Sequence, residues 1–277
     1  MVQLGKKCNL QVIKLLDFGA YLDGHDLGEI LLPIKQVPEN TQINDMLDVF
    51  LYTDSEDRII ATSMIPFAQV GEFAYLEVAD VTTYGAFLNW GLVKHLFVPF
   101  KEQHKKMEAG WSYVVYIYID EASNRIAASS RIEKYLGITE PQYIPDEEVD
   151  LLIADKTDLG WKAIINFEQI GMLYKNEIFQ PIQSGQRITG YIRKVRPDGK
   201  IDLYLNKAAV GDIDQTAERI LKIIRENNDF IEVTDKTDPE IIYNTFKVSK
   251  KNFKKAIGNL YRNRLIVIEP NGLRATE

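Results

Sequence analysis

Phe18-Gly19-Ala20-Tyr21-Leu22 and Tyr84-Gly85-Ala86-Phe87-Leu88 are two copies of one pattern, and Leu159-Gly160-Trp161-Lys162 is a looser third. Their glycines align the chain with itself. Fourteen residues before Gly19, Gly85 and Gly160 stand Gly5, Gly71 and Asp146. Twenty-five residues after them stand Asn44, Gly110 and Gly185. A basic residue follows 39, 40 and 40 residues after: Arg58, Arg125 and Lys200. Self-similarity at fixed offsets marks tandem structural units.

The apolar pattern keeps the same register. Cys8-Leu10-Val12, Ala74-Leu76-Val78 and Val149-Leu151-Ile153 each alternate with other residues, as a half-buried strand does. Cys8, aligned with Ala74 and Val149, reads as a small core residue. In the second repeat Ala86–Asn89, His95–Pro99, Trp111–Ile119 and Arg125–Ser129 read as further strands, with a turn at Asp120–Asn124. Five short strands per repeat is the content of a Greek-key barrel, the OB-fold. A core that small is marginal alone, so packing between units is expected to help.

The two aromatic-glycine segments resemble the Phe-Gly-Ala-Phe-Val signature of the ribosomal-S1-type RNA-binding domain. That resemblance implies bases stacked on the flanking aromatics: Phe18 and Tyr21 in the first repeat, Tyr84 and Phe87 in the second. The histidine this family often carries on its third strand is replaced by Leu31 and Phe97. The family's acid–base pair around the last turn falls on Asp54 and Arg58, then near Asp120 and Arg125. The third repeat replaces the acid with Arg196 and keeps Lys200 as the base. It offers Trp161, Lys162, Tyr174, Arg193, Lys194, Arg196 and Lys200, a more basic set with aromatics interleaved. Each aromatic also has a packing alternative, and Arg58 either contacts phosphate or pairs with Asp54.

From about Gly211 the period becomes helical. Ala217, Ile220, Leu221 and Ile224 form one stripe. Asp238-Pro239 predicts an N-cap and first turn for a second helix, running to about Phe246. Ser249 predicts the cap of a third, with Phe253, Ala256, Ile257 and Leu260 inward. Leu265–Ile268, Pro270-Asn271-Gly272 and Leu273–Ala275 read as a hairpin. Three helices and a hairpin make a winged helix-turn-helix. Residues 247–264 hold Lys247, Lys250, Lys251, Lys254, Lys255, Arg262 and Arg264 and no acid. Cations at a helix start oppose its dipole, so phosphate is the natural offset; a merely solvated face is the alternative.

The stretch from Asp235 to Ile266, together with the three repeats, is similar to the conserved virulence factor B (CvfB, YitL-like) family of bacteria. The resemblance implies three S1-type domains, a C-terminal winged helix, RNA binding and an effect on gene expression.

The expected architecture is therefore mainly β with a C-terminal α+β domain: barrels at 1–66, 67–135 and 145–210, and a winged helix at 211–277. The formal charge is -7, with 33 basic and 40 acidic residues. Residues 1–66 alone carry a net -5, whereas 211–277 carry +1. A local basic face attracts phosphate despite an acidic total. One cysteine excludes an internal disulfide framework. No apolar run approaches the ~20 residues of a membrane span, and no secretory signal is visible, so the expected compartment is the cytoplasm. No phosphate-loop, metalloprotease or nucleophile-elbow motif occurs. We therefore expect no enzyme, no cofactor, no metal, no membrane and no small-molecule substrate. The expected partner is single-stranded RNA, held chiefly by the third-barrel set and by Lys250, Lys251, Lys254, Lys255 and Arg262. Phe18, Tyr21, Arg58, Tyr84, Phe87, Phe97 and Arg125 are auxiliary. The alternatives are a duplex-DNA-reading regulator and a scaffold bound to the translation machinery.

Overall fold

The computed structural model describes residues 2–175, 178, 181–205 and 213–276, without the side chains of 213–215. Residues 1–138 make one compact unit and 139–277 a second. The expected boundary between 210 and 211 lies outside the described residues.

The first unit holds two closed five-stranded barrels. Barrel one comprises β1 (Lys7–Leu16), β2 (Gly19–Asp23), β3 (Glu29–Pro33), β4 (Met46–Thr53) and β5 (Ile59–Thr62). Barrel two comprises β6 (Phe73–Val81), β7 (Gly85–Asn89), β8 (Leu96–Pro99), β9 (Ser112–Asp120) and β10 (Arg125–Ser129). Barrel three, in the second unit, comprises β11 (Glu148–Lys156), β12 (Gly160–Ile165), β13 (Gln169–Tyr174), β14 (Arg187–Val195) and β15 (Ile201–Tyr204). In each, the third strand runs parallel to the fifth and the other pairings are antiparallel.

The repeat offsets have a backbone cause. Gly5, Gly71 and Asp146 all take a left-handed φ, between 65° and 86°. Each donates its amide to a fourth-strand residue, Leu51, Ile117 or Ile192, at 2.7–2.8 Å. The anchor glycines are needed for close approach. A Cβ on Gly19, Gly85 or Gly160 would lie 2.3, 2.3 or 1.9 Å from a third-strand carbonyl oxygen. Only the residue without a side chain lets β2, β7 and β12 start against their neighbours.

Barrels one and two share apolar packing. Phe50 and Tyr52 of barrel one join the barrel-two cluster of Trp90, Leu92 and Leu96. The Phe50 and Trp90 rings meet edge to face at 5.6 Å. Burying side chains of this size is worth about 1.5–3 kcal/mol each, so the shared seam supplements two small cores. Cys8 is half-buried against barrel one's core, less deep than Ala74 and Val149; burial pushes its thiol pKa up.

The C-terminal domain has α1 (Ile213–Glu226), α2 (Pro239–Phe246) and α3 (Lys250–Arg262). Asp238 caps α2 through the Glu240 amide at 2.8 Å, and Ser249 caps α3 through the Asn252 amide at 3.2 Å. Phe253, Ala256, Ile257 and Leu260 are buried, with Phe253 stacked on Phe246 at 5.0 Å. The wing, β17 (Ile266–Glu269) and β18 (Gly272–Ala275), is joined by β16 (Phe230–Ile231), which makes a three-stranded sheet. Two residues carry no periodicity, which is why only a hairpin was legible. No helix among the described residues is long and apolar enough to cross a membrane.

Candidate nucleic-acid interface

Barrel two gathers its candidates into one cleft of about 880 Å³. Tyr84, before the anchor glycine, is 78% exposed, and Phe87 is half-buried. Pairing of β7 with β8 sets Phe87 opposite Phe97, with ring centroids 5.1 Å apart. On the far side of Phe97, β10 contributes Ala127, whose small side chain leaves the floor open. Arg125 lines the same cleft and pairs with Asp57 of barrel one. Lys94, His95, Lys101 and Tyr118 also line it. The Lys94 ammonium donates to the Asp54 carbonyl oxygen at 2.6 Å and to the Thr53 hydroxyl at 3.4 Å. Burial pushes its pKa below the usual lysine value.

In barrel one, Phe18 is 55% exposed and meets half-buried Tyr21 edge-on at 6.2 Å. Lys14 stands 5.4 Å from the Tyr21 ring centroid. Leu31 occupies the place of Phe97, so the third strand adds no aromatic. Arg58 pairs with Asp54 at 2.7 Å and with Glu56 at 3.1 Å. Burial pushes the Asp54 carboxyl up, but hydrogen bonds from the Arg58 side chain and the Arg58 and Glu56 amides outweigh it and hold the pKa below the usual value. Of the two readings of Arg58, the structure contains the ion pair.

Barrel three keeps the frame and changes the chemistry. At the place of Phe97 stands Met172, and at the place of Ala127 stands Asp202. Asp202 has a side chain only 6% exposed and is held by Arg196 at 2.8 Å. Tyr174, where barrels one and two have Pro33 and Pro99, donates its hydroxyl to Asp202 at 3.3 Å. Arg196 also donates to that hydroxyl, and Lys194 lies 3.9 Å from Asp202. Lys200 pairs with Asp198 at 2.9 Å. Trp161 is half-buried with Lys156 at 5.8 Å from its ring, and Arg193 stands 5.8 Å from the ring of Tyr204. Lys162 is half-buried on β12.

The cations of α3 divide. Lys250 donates to the Thr237 carbonyl at 2.7 Å, and Lys254 pairs with Asp235 at 3.3 Å. Arg262 donates to the Gly258 carbonyl at 3.2 Å. Lys251 and Lys255 are exposed and have no ion pair among the described residues.

Comparison with known proteins finds two domain matches and relatives along most of the chain. The CvfB-like winged helix domain matches residues 218–274, and the S1 domain matches residues 4–63. The Bacillus subtilis protein YitL is 28% identical, over 94% of this chain and 89% of its own. Conserved virulence factor B of Staphylococcus saprophyticus is 22% identical, over 97% of this chain and 93% of its own. The chain is similar to the CvfB-like proteins along nearly its whole length and carries their winged helix domain. A solved multidomain protein with nucleic acid binding domains from Streptococcus pneumoniae is 20% identical, with a TM-score of 0.41, covering 99% of this chain and 98% of that one.

S1 and winged-helix domains are nucleic-acid-binding folds, and this chain carries both. Its cleft also contains residues that the repeat did not single out. Lys94 and Lys101 border the third strand directly and His95 opens its sequence run, so a search for polar residues around His95–Pro99 finds them. Tyr118 in the cleft wall, and Asp57, which reaches Arg125 from barrel one, carry no comparable signal, because their places depend on side-chain direction and on barrel docking.

Proposed function

We propose that this CvfB-like chain is a non-enzymatic RNA-binding protein that holds single-stranded RNA and takes part in gene-expression regulation. The observation that carries this reading is the barrel-two cleft, where Tyr84, Phe87 and Phe97 surround an open floor bordered by Lys94, Lys101 and Arg125 and by the carboxylates of Asp80 and Asp120. Unpaired bases stack on such rings with little dependence on sequence, while cations hold the backbone. Lys251 and Lys255 on α3 supply a second basic surface, and Trp161 with Lys156 beside its ring a further stacking position. No step of this reading makes or breaks a covalent bond.

The test is a titration of the full chain against single-stranded RNA with Phe87→Ala and, separately, Lys251→Glu with Lys255→Glu. Phe87→Ala is expected to weaken binding by about 1–3 kcal/mol, the worth of one stacked base. The charge reversals are expected to weaken binding and flatten its salt dependence. Unchanged affinity in both overturns the reading. Preference for duplex DNA over single-stranded RNA would favour a DNA regulator instead.

A further inference from the structure

The β4–β5 turn of barrel one, residues 54–58, reaches the barrel-two cleft. Thr53, which precedes the turn, is part of the cleft wall. The Asp54 carbonyl holds Lys94. Arg58 takes the carboxylates of Asp54 and Glu56. Asp57 is then the acid of the turn that pairs across the barrels, with Arg125. Asp57 takes a left-handed φ of 62°, which directs the turn tip. Two cations at this end of the cleft are therefore engaged by barrel one. The Asp57 and Arg125 side chains are 42% and 58% exposed, so a phosphate can reach Arg125 but must compete with a carboxylate.

We propose that Asp57 is a specificity-determining residue of the barrel-two cleft: by occupying Arg125, it makes the cleft select ligands by unpaired bases rather than by phosphate charge. The proposal rests on the RNA-binding reading above and deepens it. A strand that offers bases gains stacking on Tyr84, Phe87 and Phe97 whether or not Arg125 is free. A polyanion without bases depends on the cations alone and meets the Asp57 carboxylate in their place. Barrel one, the most acidic segment of the chain, thus acts as a filter on its neighbour.

The experiment uses the full chain as wild type, Asp57→Asn, Arg125→Ala and the double variant. Asparagine adopts the left-handed conformation readily, so Asp57→Asn removes the charge and keeps the turn. The probes are a short oligoadenylate and an abasic oligonucleotide of equal length, each titrated over a salt series. Asp57→Asn is expected to raise affinity for the abasic probe by about threefold, in line with the small coupling of exposed pairs. The gain for the oligoadenylate should be smaller, and the salt slope should steepen by about 0.7. Both changes should vanish when Arg125 is alanine. Unchanged discrimination in Asp57→Asn, or a gain that persists without Arg125, overturns the proposal while leaving wild-type RNA binding intact. Absence of wild-type binding to either probe instead overturns the RNA-binding reading, and this inference with it.

Discussion

Barrels two and three have the same strand order, the same anchor glycine and the same left-handed turns, yet their equivalent faces differ. In barrel two, Ala127 and Pro99 leave the floor empty, and the rings of Phe87 and Phe97 face it. In barrel three, Asp202 and Tyr174 stand at those two places and draw in Arg196 and Lys194. The barrel whose candidate residues are the more basic thus spends part of their charge on its own acid. The other keeps an aromatic cleft. Residue types near a binding position therefore say less than whether those residues already satisfy one another.

The shared frame gives the largest expected effect. Alanine at Gly160 would put a Cβ 1.9 Å from the Leu173 carbonyl oxygen, and at Gly85 one 2.3 Å from that of Val98. Backbone cannot yield as a flexible side chain does. Each substitution is expected to cost about 3 kcal/mol or more, measured by chemical denaturation. A loss below about 1 kcal/mol in either would mean that the two barrels do not depend on the same constraint. Next comes Asp202→Ala, which tests the difference between them. It removes the acceptor shared by Arg196 and Tyr174, at an expected cost of about 2–3 kcal/mol in stability. It also frees cations on a surface that then resembles barrel two, so RNA affinity should rise and its salt slope steepen. Loss of stability with no gain in binding would make the cluster purely structural.

Much of this comparison was visible in the chain itself. The offsets of fourteen before and twenty-five after Gly19, Gly85 and Gly160 located six positions with a left-handed φ, all of them glycine, asparagine or aspartate. The caps Asp238 and Ser249 were legible because capping is local. Asp202 was not recognised as the partner of Arg196. The acid missing at position 196 moves six residues on, into the apolar run Ile201–Tyr204, where a charge count treats it as one more acid. The bond from Asp57 to Arg125 was invisible for a different reason: it exists only because two barrels dock. Sequence repeats describe each unit well and the seam between units poorly.

The smallest expected effect concerns what holds the barrel-two side together without filling its cleft. Glu102 is a buried carboxylate, hydrogen-bonded by Lys134 at 2.9 Å and by the Ser129 hydroxyl at 2.7 Å. Burial pushes its pKa up, but the hydrogen bonds from Lys134 and Ser129 and the Lys134 charge outweigh that, and the pKa lies below its usual value. A carboxyl with a depressed folded pKa contributes stability that is fully present above the unfolded value and is lost as pH falls through the folded one. The first unit should therefore lose stability on acidification below about pH 4.3, the ordinary glutamate range. Glu102→Gln should flatten that loss, at the cost of some stability near neutral pH, while leaving RNA affinity there unchanged. An unaltered acid limb in denaturation curves of the variant would remove Glu102 from the account. A fall in RNA affinity at neutral pH would show instead that the cleft and its support are not separable, and would weaken the contrast with barrel three, where one acid performs both tasks.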